Sequence, residues 1–124
     1  MSLFSKKQTG DAGENYCAKF LKKNHYRILA RNYRKPYGEI DIIAEKKGVV
    51  CFVEVKTRHT NPFTRPYEAV DFRKQQRLIR AAQAYIAEYD VQSYCRFDVC
   101  EVFTDKDTLK LQDIHYIENA FELG

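Results

Sequence analysis

Two acidic residues stand inside apolar, strand-like segments of the chain. Asp41 lies between two isoleucines, and Glu54 lies between two valines with Lys56 two residues further on. Carboxylates in such surroundings need a partner, because an unpaired charge is rarely buried. Residues i and i+2 of a strand share one face, so Glu54 and Lys56 point the same way, roughly 7 Å apart at Cα. If the two segments form a hairpin, Asp41 lies next to Glu54 near the same end of the sheet.

Two carboxylates and an amine in one place are suited to metal-assisted chemistry. Mg²⁺ takes oxygen ligands, commonly a couple of carboxylates together with waters and phosphate oxygens. A metal held in this way activates water and stabilises the charge of a phosphodiester under attack. A lysine beside it orients the nucleophile or neutralises developing negative charge. The residues therefore predict a site for Mg²⁺ or Mn²⁺.

The charge distribution suggests which substrate such a site would meet. The chain has 124 residues and a net charge of +4. Residues 1–80 carry 18 basic and 8 acidic side chains (+10), whereas residues 81–124 carry 3 basic and 9 acidic ones (-6). A basic first two-thirds favours a polyanionic partner such as nucleic acid. Ordinary solvated surface charges explain the same numbers about equally well.

Hydrophobic periodicity predicts the element order α-β-β-β-α-β-β. Asp11 and Glu14 resemble a capping box at the start of the first helix. Pro66 suits the first turn of the second helix, after a polar loop over Thr57–Arg65. The expected helices and strands are Thr9–Asn24, Tyr26–Tyr33, Glu39–Glu45, Val49–Lys56, Pro66–Tyr89, Tyr94–Phe103 and Thr108–Ile114.

These elements predict an α/β fold with a mixed central sheet flanked by helices. The first three strands are joined by short turns and should form an antiparallel meander. The near-continuous apolar run of the third strand is typical of a central strand covered on both faces. The helix that follows allows a crossover connection to the fourth strand. No linker or repeat interrupts residues 1–124, so we expect a single domain.

Several classes of protein are disfavoured by composition. The sequence lacks the run of ~20 apolar residues that a membrane-spanning helix needs. Its N-terminal segment lacks the apolar stretch of a signal peptide, so we expect a cytoplasmic protein without a membrane partner. The four cysteines form no Cys-x-x-Cys pair, which favours reduced, mostly buried thiols over a zinc site.

The ordered motifs resemble a known family. Asp41, twelve intervening residues and then Glu54-Val55-Lys56 resemble the PD-(D/E)XK nuclease signature. The surrounding segments are similar to the YraN family, a family of small bacterial proteins classed as predicted endonucleases and related to archaeal Holliday-junction resolvases. The resemblance extends from about Gly10 to Phe121 and rests on Gly13-Glu14, Arg31-Asn32-Tyr33, Gly38-Glu39-Ile40-Asp41, Phe52 to Arg58 and Arg96-Phe97-Asp98-Val99.

The resemblance implies a restriction-endonuclease-like core and a set of roles. Asp41 and Glu54 would be metal ligands, completed by the backbone carbonyl of Val55, and Lys56 would be the catalytic lysine. Glu14 matches the glutamate that the first helix brings to the site in resolvase-like members. The proline of the superfamily name is absent, as it is in the YraN family. The implied activity is metal-dependent cleavage of DNA rather than RNA, extending to branched or junction DNA, and the resemblance also admits a homodimer.

Three further residues are candidates for nucleic-acid binding. Arg58 lies just past the site, where it could contact a phosphate, although a solvated arginine explains it equally well. Lys74 and Gln75 fall on the second helix, where related nucleases often present a polar residue to the site. Plain helix surface is the better-supported interpretation of both.

The proposed site residues also have structural interpretations. Glu14 could serve only the capping box, and Asp41 and Glu54 could be solvent-facing residues of an edge strand. Lys56 could form a salt bridge with Glu54. Glu39 is better explained as a turn residue beside a glycine.

Asp98 is best explained as a salt-bridge partner of Arg96. At the level of the whole chain, one alternative to an enzyme is a catalytically inactive nucleic-acid-binding or adaptor domain on a nuclease fold. Another is a protein-interaction module that uses the acidic last third of the chain.

Overall fold

A computed structural model describes residues 3–59 and 70–122, and it confirms the predicted α-β-β-β-α-β-β order. The elements are α1 (Lys6–Lys23), β1 (Arg27–Lys35), β2 (Gly38–Lys46), β3 (Val49–His59), α2 (Phe72–Glu88), β4 (Tyr94–Thr104) and β5 (Leu111–Phe121).

The strands form one mixed sheet in the order β1-β2-β3-β4-β5. The first three strands are an antiparallel meander, as predicted. β3 pairs in parallel with β4 across the connection that contains α2, and β4 pairs antiparallel with β5. β3 is therefore the central strand, which explains why its sequence is apolar on both faces.

Each face of the sheet has its own apolar core. On one face, Phe52 of β3 packs with Leu78 and Tyr85 of α2. On the other, Val53 packs with Cys17 and Leu21 of α1. Because successive side chains of a strand point to opposite faces, even-numbered residues of β3 face α2 and odd-numbered ones face α1.

The start of α1 differs from the expectation. The helix begins at Lys6, and Ser5 and Gln8 form the capping box: Ser5 Oγ accepts from the Gln8 amide at 3.1 Å, and Gln8 Oε1 accepts from the Ser5 amide at 2.9 Å. The predicted Asp11–Glu14 box was wrong, because the helix extends one turn further toward the N-terminus. Glu14 is consequently a residue of the helix interior whose carboxylate is available for another role.

The third and last strands are longer than predicted. β3 continues to His59, because residues 57–59 pair with β4 as far as Thr104, so this part of the expected loop is strand. The last strand begins at Leu111 rather than Thr108, since the Asp105 carboxylate accepts the amides of Asp107 and Thr108 and holds that segment in a turn.

α2 begins at Phe72, after Asp71 caps it by accepting the Lys74 amide at 2.9 Å. The predicted start at Pro66, like the rest of the expected loop, lies outside the described residues.

Asp98 of β4 is a second buried acid of the central sheet. Its carboxylate is fully buried and takes a two-pronged bond from Arg96 Nε, at 3.0 and 3.1 Å. It also accepts from the Tyr116 hydroxyl at 2.6 Å and from the Asn119 amide at 2.9 Å. The predicted salt bridge within β4 is thus confirmed, and the bonds from Tyr116 and Asn119 connect β4 to β5.

The four cysteines are free thiols, three of them buried, as expected. Within residues 3–59 and 70–122, neither helix combines the length and apolarity needed to cross a bilayer.

α1 packs tightly against the sheet at Gly13. A Cβ built on Gly13 would overlap the hydroxyl oxygen of Thr57 on β3, whereas one built on Gly10 meets nothing within 4 Å. Of these two glycines, only Gly13 is therefore needed for packing, although both lie in the helix interior where glycine is unfavourable.

We expect Gly13→Ala to lower the free energy of unfolding by about 1 to 3 kcal/mol, because the added methyl group overpacks the α1–β3 contact. Gly10→Ala should instead raise it by about 0.5 to 1 kcal/mol through helix propensity. Urea unfolding followed by circular dichroism measures both. Adding Thr57→Ala to Gly13→Ala should recover part of the loss, and equal stability of the two single variants would contradict the proposed contact.

Candidate active site

β2 and β3 separate partway along their length. Their last paired residues are Ile42 and Val53, yet both strands continue past this pair. Asp41 and Glu54 are the next residues on each side. The two predicted acidic residues therefore lie where the sheet opens, and neither lies on an edge strand, because the edges are β1 and β5.

The chain changes face at Asp41. Ile40 belongs to the core on the α2 side and Ile42 to the core on the α1 side, although regular alternation would put both on one face. Asn32, opposite Asp41 in the β1–β2 register, has a positive φ of 53°. The irregular backbone of the two strands turns the Asp41 side chain away from the regular alternation. Asp41 Oδ2 accepts a hydrogen bond from the Val55 amide at 2.8 Å.

Glu54 faces α2 and is only 5% exposed. Its Oε1 forms an ion pair with Nζ of Lys74, whose side chain is half exposed. Burial acts to lower the pKa of Lys74, but the hydrogen bond and the charge of Glu54 outweigh it, so this pKa is raised above its ordinary value. α2 thus presents Lys74 to Glu54, whereas a contact between Lys74 and nucleic acid stays a prediction.

Asp41 and Glu54 are close enough for their carboxyl groups to hydrogen-bond and to influence each other's protonation. Burial raises the pKa of Asp41, and the charge of Glu54 raises it further; the bond from the Val55 amide acts in the opposite direction. Two like charges held together in a partly buried place favour either a shared proton or a bound cation. The arrangement is characteristic of functional sites rather than of packing.

The oxygen donors present fit a hard cation such as Mg²⁺ or Mn²⁺. Among the described residues, no three His, Cys, Asp or Glu side chains gather as a metal-binding group. A cation between Asp41 and Glu54 would therefore depend on backbone oxygens and water for its remaining ligands, as Mg²⁺ commonly does. The Val55 amide points to Asp41. In extended backbone the amide and the carbonyl of one residue face the same edge of the strand, so the Val55 carbonyl faces that side as well.

Glu14 reaches the neighbourhood of this pair from α1. Its carboxylate, 15% exposed, lies 3.7 Å from Nη2 of Arg31 and also accepts a hydrogen bond from Asn32. Burial raises the pKa of Glu14, and the charge of Arg31 opposes that effect. The charge of Glu14 in turn raises the pKa of Asp41, so Glu14 of α1 influences the protonation of Asp41 on β2.

Lys56 and Arg58 share the face of β3 that carries Glu54. Lys56 is half-buried and stands opposite Glu101 of β4 in the strand register. Arg58 Nε donates to Glu101 Oε2 at 2.9 Å, and Glu101 is only 3% exposed. The structure thus gives Arg58 a structural partner that the sequence did not reveal, and its contact with phosphate stays a prediction.

A cleft of about 230 Å³ opens beside the carboxylate pair. Its described lining excludes Lys56 and consists of Glu39, Asp41, Glu54, Lys74, Arg77 and Leu78.

The sequence interpretation undervalued two of these residues. Glu39, assigned to the turn, pairs with Arg34 at 3.3 Å and also faces the cleft. Arg77 was missed, although it follows Lys74 by three residues and so lies on the same side of the helix. Gln75 points elsewhere, since its side-chain amide donates to the Val70 carbonyl at 2.7 Å.

Comparison with known sequences places these residues in a family. The profile of the uncharacterised protein family UPF0102 matches residues 13–102, which include every predicted site residue. The chain belongs to the UPF0102 family. A UPF0102 protein of Caldanaerobacter subterraneus is 44% identical over 98% of this chain and 100% of its own length. One of Alkaliphilus metalliredigens is 47% identical over 93% and 98%, respectively. These UPF0102 relatives are thus similar in length as well as in sequence.

Asp41 makes the stability of this UPF0102 chain depend on pH. Its pKa rises from 3.8 to about 8 on folding, so between these values the folded chain binds more protons than the unfolded one. Without metal, the free energy of unfolding should therefore fall as the pH rises from 4 to 8. Asp41→Asn should flatten this decline, because the amide oxygen can still accept the Val55 amide without carrying charge.

The measurement is urea unfolding in EDTA at several pH values. Asp107→Asn, which alters an exposed acid in the β4–β5 turn, serves as the control and should keep the wild-type slope. If the free energy of unfolding of Asp41→Asn declined with pH as steeply as that of the control, the folded chain would not disfavour the charge of Asp41.

Proposed function

We propose that this UPF0102 protein is a metal-dependent endonuclease that hydrolyses phosphodiester bonds in DNA. The observation that carries the proposal is the pairing of the Asp41 and Glu54 carboxyl groups where β2 and β3 separate. The resemblance of the Asp41, Glu54 and Lys56 motif to PD-(D/E)XK nucleases supports the same reaction. By that resemblance, branched or junction DNA is the substrate class to test first.

A structural role does not account for the carboxylate pair. An amide side chain in place of Asp41 would still accept the Val55 amide while removing the negative charge beside Glu54. The pair instead costs stability in the metal-free chain, since burial and the charge of Glu54 raise the pKa of Asp41. Local destabilisation of this kind is common at functional sites.

The surrounding residues have distinct duties in this proposal. When bound, Mg²⁺ or Mn²⁺ would activate water and stabilise charge on the phosphate. The Val55 amide fixes the orientation of Asp41, and Lys74 fixes that of Glu54. Lys56, on the same face as Glu54, is the candidate for assisting attack by water.

Glu14 adds negative charge from α1, which strengthens the attraction of the site for a cation. A homodimeric assembly and a cytoplasmic location stay predictions.

The Lys74–Glu54 ion pair favours a second candidate. A lysine that neutralises Glu54 supplies the positive charge that a metal would otherwise bring. In that case the chain would be a DNA-binding or adaptor domain without turnover. Metal titration separates the two candidates, because only the first requires the carboxylates to bind a cation.

Asp41→Asn and Glu54→Gln should each reduce DNA cleavage at least roughly a hundredfold in Mg²⁺ or Mn²⁺, because each removes a charged metal ligand. Both variants should remain folded, since the amides preserve shape. Cleavage would be measured on linear, flapped and four-way labelled DNA by gel electrophoresis, with Asp107→Asn as the control. Failure of the wild-type chain to cut any of these substrates with either metal would overturn the nuclease proposal.

Lys74→Gln tests whether lysine and metal compete for Glu54. Without metal, we expect the free energy of unfolding at pH 8 to fall by about 1 kcal/mol, a small loss because water partly screens the half-exposed lysine. Calorimetry should show tighter Mn²⁺ binding than in wild type, because the metal no longer displaces an ammonium group. Lys19→Gln, which alters an exposed lysine of α1 on the opposite face of the sheet, is the control. An absence of measurable Mn²⁺ binding in wild type and Lys74→Gln would favour the second candidate.

A further inference from the structure

Three arginines form a row along the exposed surface of α2. Arg73, Arg77 and Arg80 are spaced i, i+4 and i+7, which puts them on one side of the helix. With a rise of 1.5 Å per residue, the row extends for about 10 Å. We call these three residues the arginine row.

The charge of the arginine row is not neutralised by acids of the described part of the chain, where no ion pair involves any of its members. The basic residues of β1 are different, because each pairs with an acid. Those pairs are Arg27 with Glu45, Arg31 with Glu14, Arg34 with Glu39 and Lys35 with Glu88. Beside the cleft, positive charge that no described acid neutralises therefore lies on α2 rather than along β1.

The arginine row is continuous with the candidate active site. Arg77 lines the cleft together with Asp41 and Glu54. α2 lies against β2 at this point, since a Cβ on Gly38 would overlap the Arg77 carbonyl oxygen. At the C-terminal end of the row, one turn beyond Arg77, the Arg80 guanidinium lies 5.0 Å from the centre of the Tyr37 ring in the β1–β2 turn. The row thus leads from the carboxylate pair toward the β1–β2 hairpin.

We propose that the arginine row binds successive phosphates of one DNA strand where that strand leaves the candidate active site. Three arginines spread over about 10 Å of helix can reach neighbouring phosphates of one strand, because their side chains are long and flexible. Guanidinium groups are suited to the task, because they stay charged and donate two parallel hydrogen bonds to phosphate. The direction of the strand depends on the proposed function, whereas binding to the row can be measured without cleavage.

Continuity with the cleft favours nucleic acid over other anionic partners. A phosphate backbone is a linear array of charges, and it can contact the row and the cleft together. An anionic membrane is a broad surface that cannot follow the row into the cleft, and an acidic protein lacks the regular linear array of charges of a phosphate backbone. We therefore assign the arginine row to DNA and make the other partners outcomes of the test.

The test compares Arg73→Gln/Arg77→Gln/Arg80→Gln with Lys19→Gln/Lys22→Gln/Lys23→Gln. The second variant removes the same number of charges from exposed positions of α1, which packs on the opposite face of the sheet from α2. Binding of fluorescein-labelled 25-nucleotide DNA, single-stranded and duplex, would be followed by anisotropy at 50 to 300 mM KCl. EDTA is present throughout, so binding is measured without metal-dependent cleavage.

We expect the arginine variant to bind duplex DNA roughly a hundredfold more weakly at 100 mM KCl, with its salt slope reduced by about 2.7 for three lost phosphate contacts. The lysine variant should remain within about threefold of wild type. Equal weakening of the two variants would overturn the inference, because net charge alone would then explain binding. Unchanged DNA binding of the arginine variant would also overturn it. Lost binding of that variant to phosphatidylserine vesicles would then identify a membrane as the partner. If the arginine row is required for binding but wild type cuts no DNA, the proposed function fails while this inference stands.

Discussion

The hydrogen bond from the Val55 amide to Asp41 Oδ2 joins two strands that have stopped pairing with each other. Beyond Ile42 and Val53 the backbone groups of β3 on that edge need partners, because buried amides are rarely left without them. A carboxylate supplies the acceptor that the β2 backbone no longer provides. The same bond fixes Asp41 beside Glu54, so the opening of the sheet and the formation of the candidate site are one structural event.

Buried acids elsewhere in the described chain follow a simple rule, and Asp41 departs from it. Glu54 pairs with Lys74, Glu101 with Arg58, and Asp98 with Arg96. The first two pairs connect neighbouring elements, and the third lies within β4, where Asp98 also accepts hydrogen bonds from β5. Asp41 instead faces a second carboxylate and a backbone amide. Burial and the charge of Glu54 raise the pKa of Asp41, so Asp41 favours binding a proton or a cation. The paired acids already have a cationic partner.

Much of the architecture was predictable because it depends on local periodicity. The apolar run of β3 predicted a central strand, and the helix after it predicted the parallel crossover to β4. Element ends were predicted less well, since they depend on individual side chains. The Ser5–Gln8 capping box starts α1 at Lys6, before the predicted Thr9. The turn at Asp105 makes β5 begin after the predicted Thr108. Such capping bonds compete with several nearby alternatives of similar sequence.

The sequence by itself determined that Asp41, Glu54 and Lys56 lie on neighbouring strands, because strand alternation and hairpin pairing depend only on residue order. Only the tertiary structure decided which groups complete the site. It brought Lys74 to Glu54 and Arg77 to the cleft, engaged Arg58 with Glu101, and turned Asp41 inward opposite Asn32. These choices depend on how α2 crosses the sheet and where β2 leaves β3, and both are set by packing between residues distant in the chain.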